Sequence, residues 1–186
     1  MSNKLLIFVL KLFIMKNISN YSQIEEIVNH TMNELQNQFY HLHGTCYLIG
    51  HCLNMIFNDL GYTSQKVTGH LHLKRHNIEK YLSYGTKINK SISIGYFHTW
   101  CEVLIGDQSI LIDPSLRFNK PFLKLMGYKV SKLLPGTLIT TSKNGYHWIY
   151  KKDTDLEKLS KTELKRISES QINKIVSTVV RQFRIT

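Results

Sequence analysis

Ile24, Ile27, Val28, Met32, Leu35 and Phe39 recur three or four positions apart behind Ser22 and Glu25. That spacing predicts an amphipathic helix over residues 22–39, opened by a capping box. "HLHGT" interrupts the pattern, and a second apolar-periodic stretch runs from about Thr45 to Leu60, stopping at the helix-ending Gly61. From there the period falls to two. "QKVTGHLHL" (65–73), "ISIGYFHTWCEVLI" (92–105) and "SILID" (109–113) are predicted strands, with "GDQ" as the turn between the last pair. Residues 74–91 form a polar connection. "GTLITTSKNGYHWIYKK" (136–152) predicts a further hairpin turning at Asn144-Gly145, and Ser160 with Glu163 opens a C-terminal helix within residues 155–184. The order of helices, then an antiparallel meander, then a helix is that of an α+β domain.

The length of 186 residues suits one domain spanning 1–186 with a sizeable core, and 42% hydrophobic with 20% charged residues excludes a disordered chain. Three prolines leave no room for a linker, and no repeat is visible. The net charge of +11 attracts acidic proteins, nucleic acid or anionic membranes. The basic residues are scattered, however, and no nucleic-acid recognition motif accompanies them, so nucleic acid is not the expected partner. Three cysteines cannot make a full disulfide framework, which fits a reducing, cytoplasmic setting and leaves room for a reactive thiol. "LLIFVLKLFIM" near the N-terminus is broken by Lys11 and too short to span a bilayer. No small-residue cleavage pattern follows it. Residues 1–20 therefore predict an extra helix, packed or lying on a membrane surface through residues 4–16.

Cys46 falls in the first turn of the 45–60 helix, behind Gly44. Helix N-terminal amides favour a thiolate, the nucleophilic form, and the free Cys46 N–H can face a developing oxyanion. Cys52 points to a different helix face, and Cys101 alternates away from His98 on its strand. His98, Trp100 and Glu102 share one strand face. Asp113 ends the next strand, near the same open end of the hairpin as His98, where it could orient the imidazole toward Cys46. Glu102 lies too far along the strand to be that partner and reads as a structural hydrogen-bonding group.

"GTCYLIGHCLNMIFNDLGYTSQKVTGHL", "HTWCEV" and "LIDPS" together resemble the core of the transglutaminase-like superfamily of cysteine enzymes. That pattern has a Gly-x-Cys opening a helix, a His-x-Trp-x-Glu strand and a strand ending in Asp-Pro-Ser. The resemblance covers about residues 40–116. It implies a papain-related α+β fold in which N-terminal helices pack on an antiparallel sheet, and a thioester intermediate on Cys46. His98 would be general base and acid, Asp113 the orienting group, and Trp100 would line the site beside the acyl group, with His43, Gly44 and Thr45 along the cleft. No cofactor is implied.

Other histidines compete for attention. His147 in "YHWIY" is a rival base that falls after Asp113, outside the expected order. "HLH" occurs at 41–43 and at 70–72, with His76 nearby, but no Cys or carboxylate stands at matching spacing, so no metal site is expected. The leading expectation is acyl transfer from an amide, ester or thioester of a protein or peptide, of which an acidic one suits the basic surface, to water or an amine. One alternative is an arylamine N-acetyltransferase-like enzyme acting on small molecules. Another is a non-catalytic binding module whose basic surface engages an acidic protein, nucleic acid or membrane.

Overall fold

The computed structural model describes residues 3–76 and 80–184, with side chains of the first helix from Tyr21 onward. The predicted 22–39 helix is the second half of a longer one, α1 (Asn3–Gln38). Ser22 and Glu25 therefore lie inside a continuous helix and cap nothing, because the chain before them is already helical. The side chains of residues 4–16, the expected membrane-contacting segment, lie outside the described residues. The second apolar stretch is α2 (Cys46–Asp59). Ile24, Ile27, Val28, Met32 and Leu35 of α1 bury completely in the core that α1 shares with α2 and the C-terminal helix. Each such side chain contributes about 1.5–3 kcal/mol by leaving water.

The predicted C-terminal helix over 155–184 is divided. After a 3-10 turn at Thr154–Leu156, α4 covers Glu157–Leu164, and α5 covers Glu169–Arg184. The two pack in different places, α4 on α2 and the first sheet strand, α5 along α1 and α2, which one straight helix could not do. Ser160, expected as a cap, is buried inside α4 instead, where its Oγ accepts from Lys66 Nζ (3.2 Å) and Thr99 Oγ1 (3.4 Å). The apolar stripe Ile172, Ile175, Val176, Val179 and Val180 seats α5 in the same core.

Among the described residues seven strands form one sheet. They are β1 (Thr63–Lys74), β2 (Tyr81–Tyr84), β3 (Ser91–Gly95), β4 (His98–Ile105), β5 (Gln108–Asp113), β6 (Leu138–Thr140) and β7 (Trp148–Lys152). The order is β3-β2-β1-β4-β5-β6, with β7 also paired to β1. β1 pairs with β4 through Thr63–Gly69 and with β7 through Gly69–Leu73, so β7 continues where β4 begins.

Three expectations change here. The sheet is mixed rather than antiparallel, since β2 and β3 run parallel. The single strand over 92–105 is two, broken at Tyr96 and Phe97, because β3 takes the sheet edge while β4 sits inside it. Residues 136–152 are no hairpin: β6 pairs with β5 and β7 with β1. The Asn144-Gly145 turn does exist, but it closes on 143–150, with Gly145 N donating to Trp148 O and Tyr150 N to Lys143 O. The polar connection 74–91 contains β2, and a short helix, α3 (Leu116–Leu125), follows the Asp-Pro-Ser segment.

The outer face of the sheet carries a second apolar cluster built on Val67, Leu71, Trp100, Leu111 and Tyr150, covered by Leu116 and Leu123 of α3 and by Leu134. The sheet is thus covered on both faces, by α2 with α1 and α5 packed beside it on one and by α3 with its following loop on the other. Among the described residues no helix is long and apolar enough to cross a membrane.

Candidate active site

Cys46 opens α2. Thr45 stands at the N-cap, but its hydroxyl donates to Leu42 O (2.7 Å) and leaves the helix end uncapped. The first helical amides with a backbone acceptor are those of Leu48 and Ile49, so the Cys46 and Tyr47 N–H groups have none. Gly44 takes φ +74°, a left-handed turn that favours glycine and admits the chain to the helix. One turn into α2, a Cβ on Gly50 would lie 3.0 Å from Thr99 Cγ2 and 3.3 Å from the Trp100 carbonyl. Lacking one, α2 settles onto the start of β4, which brings the Cys46 thiol beside His98.

His98 is the first residue of β4 and wholly buried. Its Nε2 donates to Asp113 Oδ2 at 2.7 Å, leaving Nδ1, which has no other partner, for the Cys46 thiol. Cys101 pairs with Ile112 across the β4–β5 ladder, so both chains leave the sheet at the same end, His98 before β4 and Asp113 at the close of β5. Asp113 is saturated. Oδ2 also accepts from the Tyr150 hydroxyl (2.5 Å), and Oδ1 accepts from Ser115 N (3.0 Å) and Ser115 Oγ (2.6 Å).

Burial opposes charging the imidazole, but the Asp113 carboxylate and then the neighbouring Cys46 more than offset it, holding the His98 pKa well above its ordinary value. Burial likewise opposes the Asp113 carboxylate. The His98 charge and the donors around it override that and hold its pKa below the usual carboxylate range. Tyr150 is pushed far up by burial and by Asp113, so its hydroxyl stays a donor. The set can hold a proton on His98 and keep the ring in one orientation.

Comparison with known proteins adds the fold and nothing finer. No family model matches the chain, and no curated protein matches it. It is similar to a solved structure described as the crystal structure of genomics APC5867, with a TM-score of 0.50 over 88% of this chain and 78% of that one, at 12% identity. That likeness supports the α+β architecture alone.

The remaining expected residues fall in different places. Trp100 is 1% exposed, its ring alongside that of His98 (centroids 6.5 Å apart) and edge-on to Tyr150 (5.1 Å). It backs the imidazole from inside the core rather than facing an open cleft. Its Nε1 donates to Glu102 Oε1 (2.9 Å), and Glu102 is paired with Lys143 (2.7 Å), so Glu102 holds Trp100 in place. His43 is exposed and stacks on Phe122 at 4.3 Å. Gly44 N donates to Asn119 Oδ1 (3.3 Å), Asn119 Nδ2 donates to Ser115 Oγ (3.4 Å), and Ser115 Oγ donates to Asp113. A chain of hydrogen bonds therefore runs from the turn before the thiol to the carboxylate behind the imidazole. Tyr150 and Asn119 carried no signal in the strand and helix pattern. Only Ser115, in the Asp-Pro-Ser segment, stood within the motif.

Cys52, Cys101, His70, His72 and His147 make their contacts elsewhere. Cys52 and Cys101 are fully buried, and burial raises the Cys52 thiol to about 12 and pushes Cys101 up as well. His147 sets its ring against Tyr146, before β7. His70 bridges Asp153 (2.9 Å) and the Thr86 amide (2.9 Å), and His72 meets Ser83 (2.8 Å). Among the described residues no group of three His, Cys, Asp or Glu is placed to hold a metal ion.

Proposed function

We propose that this chain is a cysteine-dependent acyl-transfer enzyme of transglutaminase-like type, acting on amide or ester groups of protein or peptide substrates. The observation that carries the reading is the order Cys46, His98 Nδ1, His98 Nε2, Asp113: a thiol at a helix start, an imidazole and an orienting carboxylate in sequence. The Cys46 proton passes to His98 Nδ1, where the Asp113 carboxylate helps hold it, and Cys46 Sγ then bonds to the acyl carbon while the carbonyl electrons move onto oxygen. The uncapped Cys46 and Tyr47 amides of α2 can face that oxyanion. Collapse breaks the bond to the leaving amine or alkoxide, which takes the proton from His98. Water or an amine then attacks the thioester, with His98 accepting its proton and Cys46 leaving.

The test is iodoacetamide labelling at neutral pH, with the modified residue located by mass spectrometry. Cys46 is expected to label ahead of Cys52 and Cys101. His98→Ala is expected to slow it by at least about 10²-fold, the scale of acid–base assistance. Equal labelling of the three thiols, or indifference to His98→Ala, would retire the enzymatic reading in favour of a binding protein. A fluorescent primary amine offered with a glutamine-rich protein then separates transfer, which fixes the dye, from hydrolysis, which does not.

The second reading, a non-catalytic binding module, has one observation in its favour: Cys46 is only 5% exposed.

A further inference from the structure

Between Asp113 and Asp153 the chain has seven lysines, one arginine and no acidic residue. This segment builds α3 and the loop beyond it, and it also exposes apolar side chains: Phe122, Leu125 (86% exposed) and Met126 at the end of α3, and Leu133 (75%) in the loop. A groove of about 850 Å³ lies along one side of α3, lined by His76, Lys120, Lys124, Tyr128, Lys129 and Lys132. Among the described residues no carboxylate lines it, and Lys124, Lys129 and Lys132 make no ion pair. On the other side of α3 a groove of about 540 Å³ runs past Phe122 and Leu125 to His41 and His43, three residues before Cys46.

We infer that this face docks an acidic protein segment carrying apolar anchor residues. Lysines without an ion pair among the described residues, set along a concave floor, ask for carboxylates, and exposed apolar side chains beside them offer anchor contacts to the same partner. Nucleic acid fits less well. Arg117, the arginine of this segment, is engaged with Asn29 (3.0 Å) and Thr137 (3.3 Å), and Tyr128 already carries the Arg75 guanidinium 5.8 Å from its ring centre. A phosphate backbone would also leave Leu125, Met126 and Leu133 without partners. A bilayer surface would not enter the two grooves, whereas an extended peptide would. Assigning the docked segment to an acyl-transfer substrate rests on the function proposed above. The binding itself does not.

The experiment is fluorescence anisotropy with a labelled synthetic peptide alternating Glu with Leu and Phe. The same peptide with Gln for Glu, a single-stranded oligonucleotide and phosphatidylserine–phosphatidylcholine vesicles serve as competitors. Wild type and Cys46→Ala are expected to bind the Glu peptide equally, which separates docking from chemistry. The triple variant K124E/K129E/K132E is expected to weaken binding by at least about tenfold, and L125S/L133S to weaken it as well. The charge-matched variant K158E/K165E/K174E, altered at exposed positions on α4, at its end and on α5, is expected to change it by less than about threefold. Equal losses in the two triple variants would overturn the inference, leaving only bulk charge. So would undiminished binding of the Gln peptide, tighter binding of vesicles or oligonucleotide, or no binding of the Glu peptide at low salt. Circular dichroism of each variant checks that the fold is kept.

Discussion

Four hydrogen bonds converge on the two carboxylate oxygens of Asp113, from His98, Tyr150 and twice from Ser115. Replacing one oxygen by an amide NH₂ aims a donor at donors. Asp113→Asn is therefore expected to cost about 3 kcal/mol of stability, as does breaking a buried charge pair, and denaturant unfolding measures it. The same variant removes the group that orients Nε2–H, so Cys46 alkylation should slow by about 10²-fold or more, the scale of acid–base assistance. A carboxylate that served only packing would give the first effect without the second. His98, Cys46 and Asp113 stood out in the sequence because strand alternation and a helix start give each a definite outlook and because the stretches that carry them resemble the transglutaminase-like pattern. Tyr150 was not. Its strand pairs with β1, far from it in sequence, and nothing local says that its hydroxyl ends on Asp113.

At the scale of elements, the site depends on how closely α2 approaches β4. Gly50 is the point of contact, and a branched side chain there would have to displace Thr99 or the Trp100 backbone. Gly50→Val is expected to destabilise the protein by about 1–3 kcal/mol through overpacking. It should also draw Cys46 away from His98, slowing alkylation even where the protein remains folded. Thermal unfolding and labelling rates measured on the same sample check both. Element types followed from periodicity wherever one face met a core, as in α2, β1, β4 and β5. Partners did not. The 136–152 stretch reads as a hairpin because its turn is genuine, yet β6 and β7 join opposite neighbours. The long helix over 155–184 breaks because its halves serve different surfaces.

Across the whole molecule, stability against pH follows from buried groups of opposite sense. The His98 pKa is raised, so its contribution is complete below its ordinary 6.5 and is lost as pH rises toward about 10. The Asp113 pKa is lowered, so its contribution is present above 3.8 and lost as pH falls through the lower native value. Burial, then nearby positive charge, lowers His51 and His72, and their neutral forms add stability as pH climbs to 6.5. The expected profile peaks near pH 6.5, declines into alkali as His98 loses its proton, and falls again below pH 4, where Glu102 also loses the charge it shares with Lys143. Urea midpoints from pH 3 to 10 measure it. A flat alkaline limb would mean that His98 is not held charged.

The sequence by itself determined the α+β class, the helix and strands that bear the motif, and three residues whose outlook is local. Helix and strand periods are properties of neighbouring residues, and a thiol behind a glycine turn or an imidazole sharing a strand face with Trp100 needs no distant information. Only the tertiary structure decided that the sheet is mixed, that Trp100 lies behind the imidazole, and that Asn119 and Ser115 tie the turn before Cys46 to Asp113. These depend on which elements pack together, and packing is settled by the burial of whole faces at once.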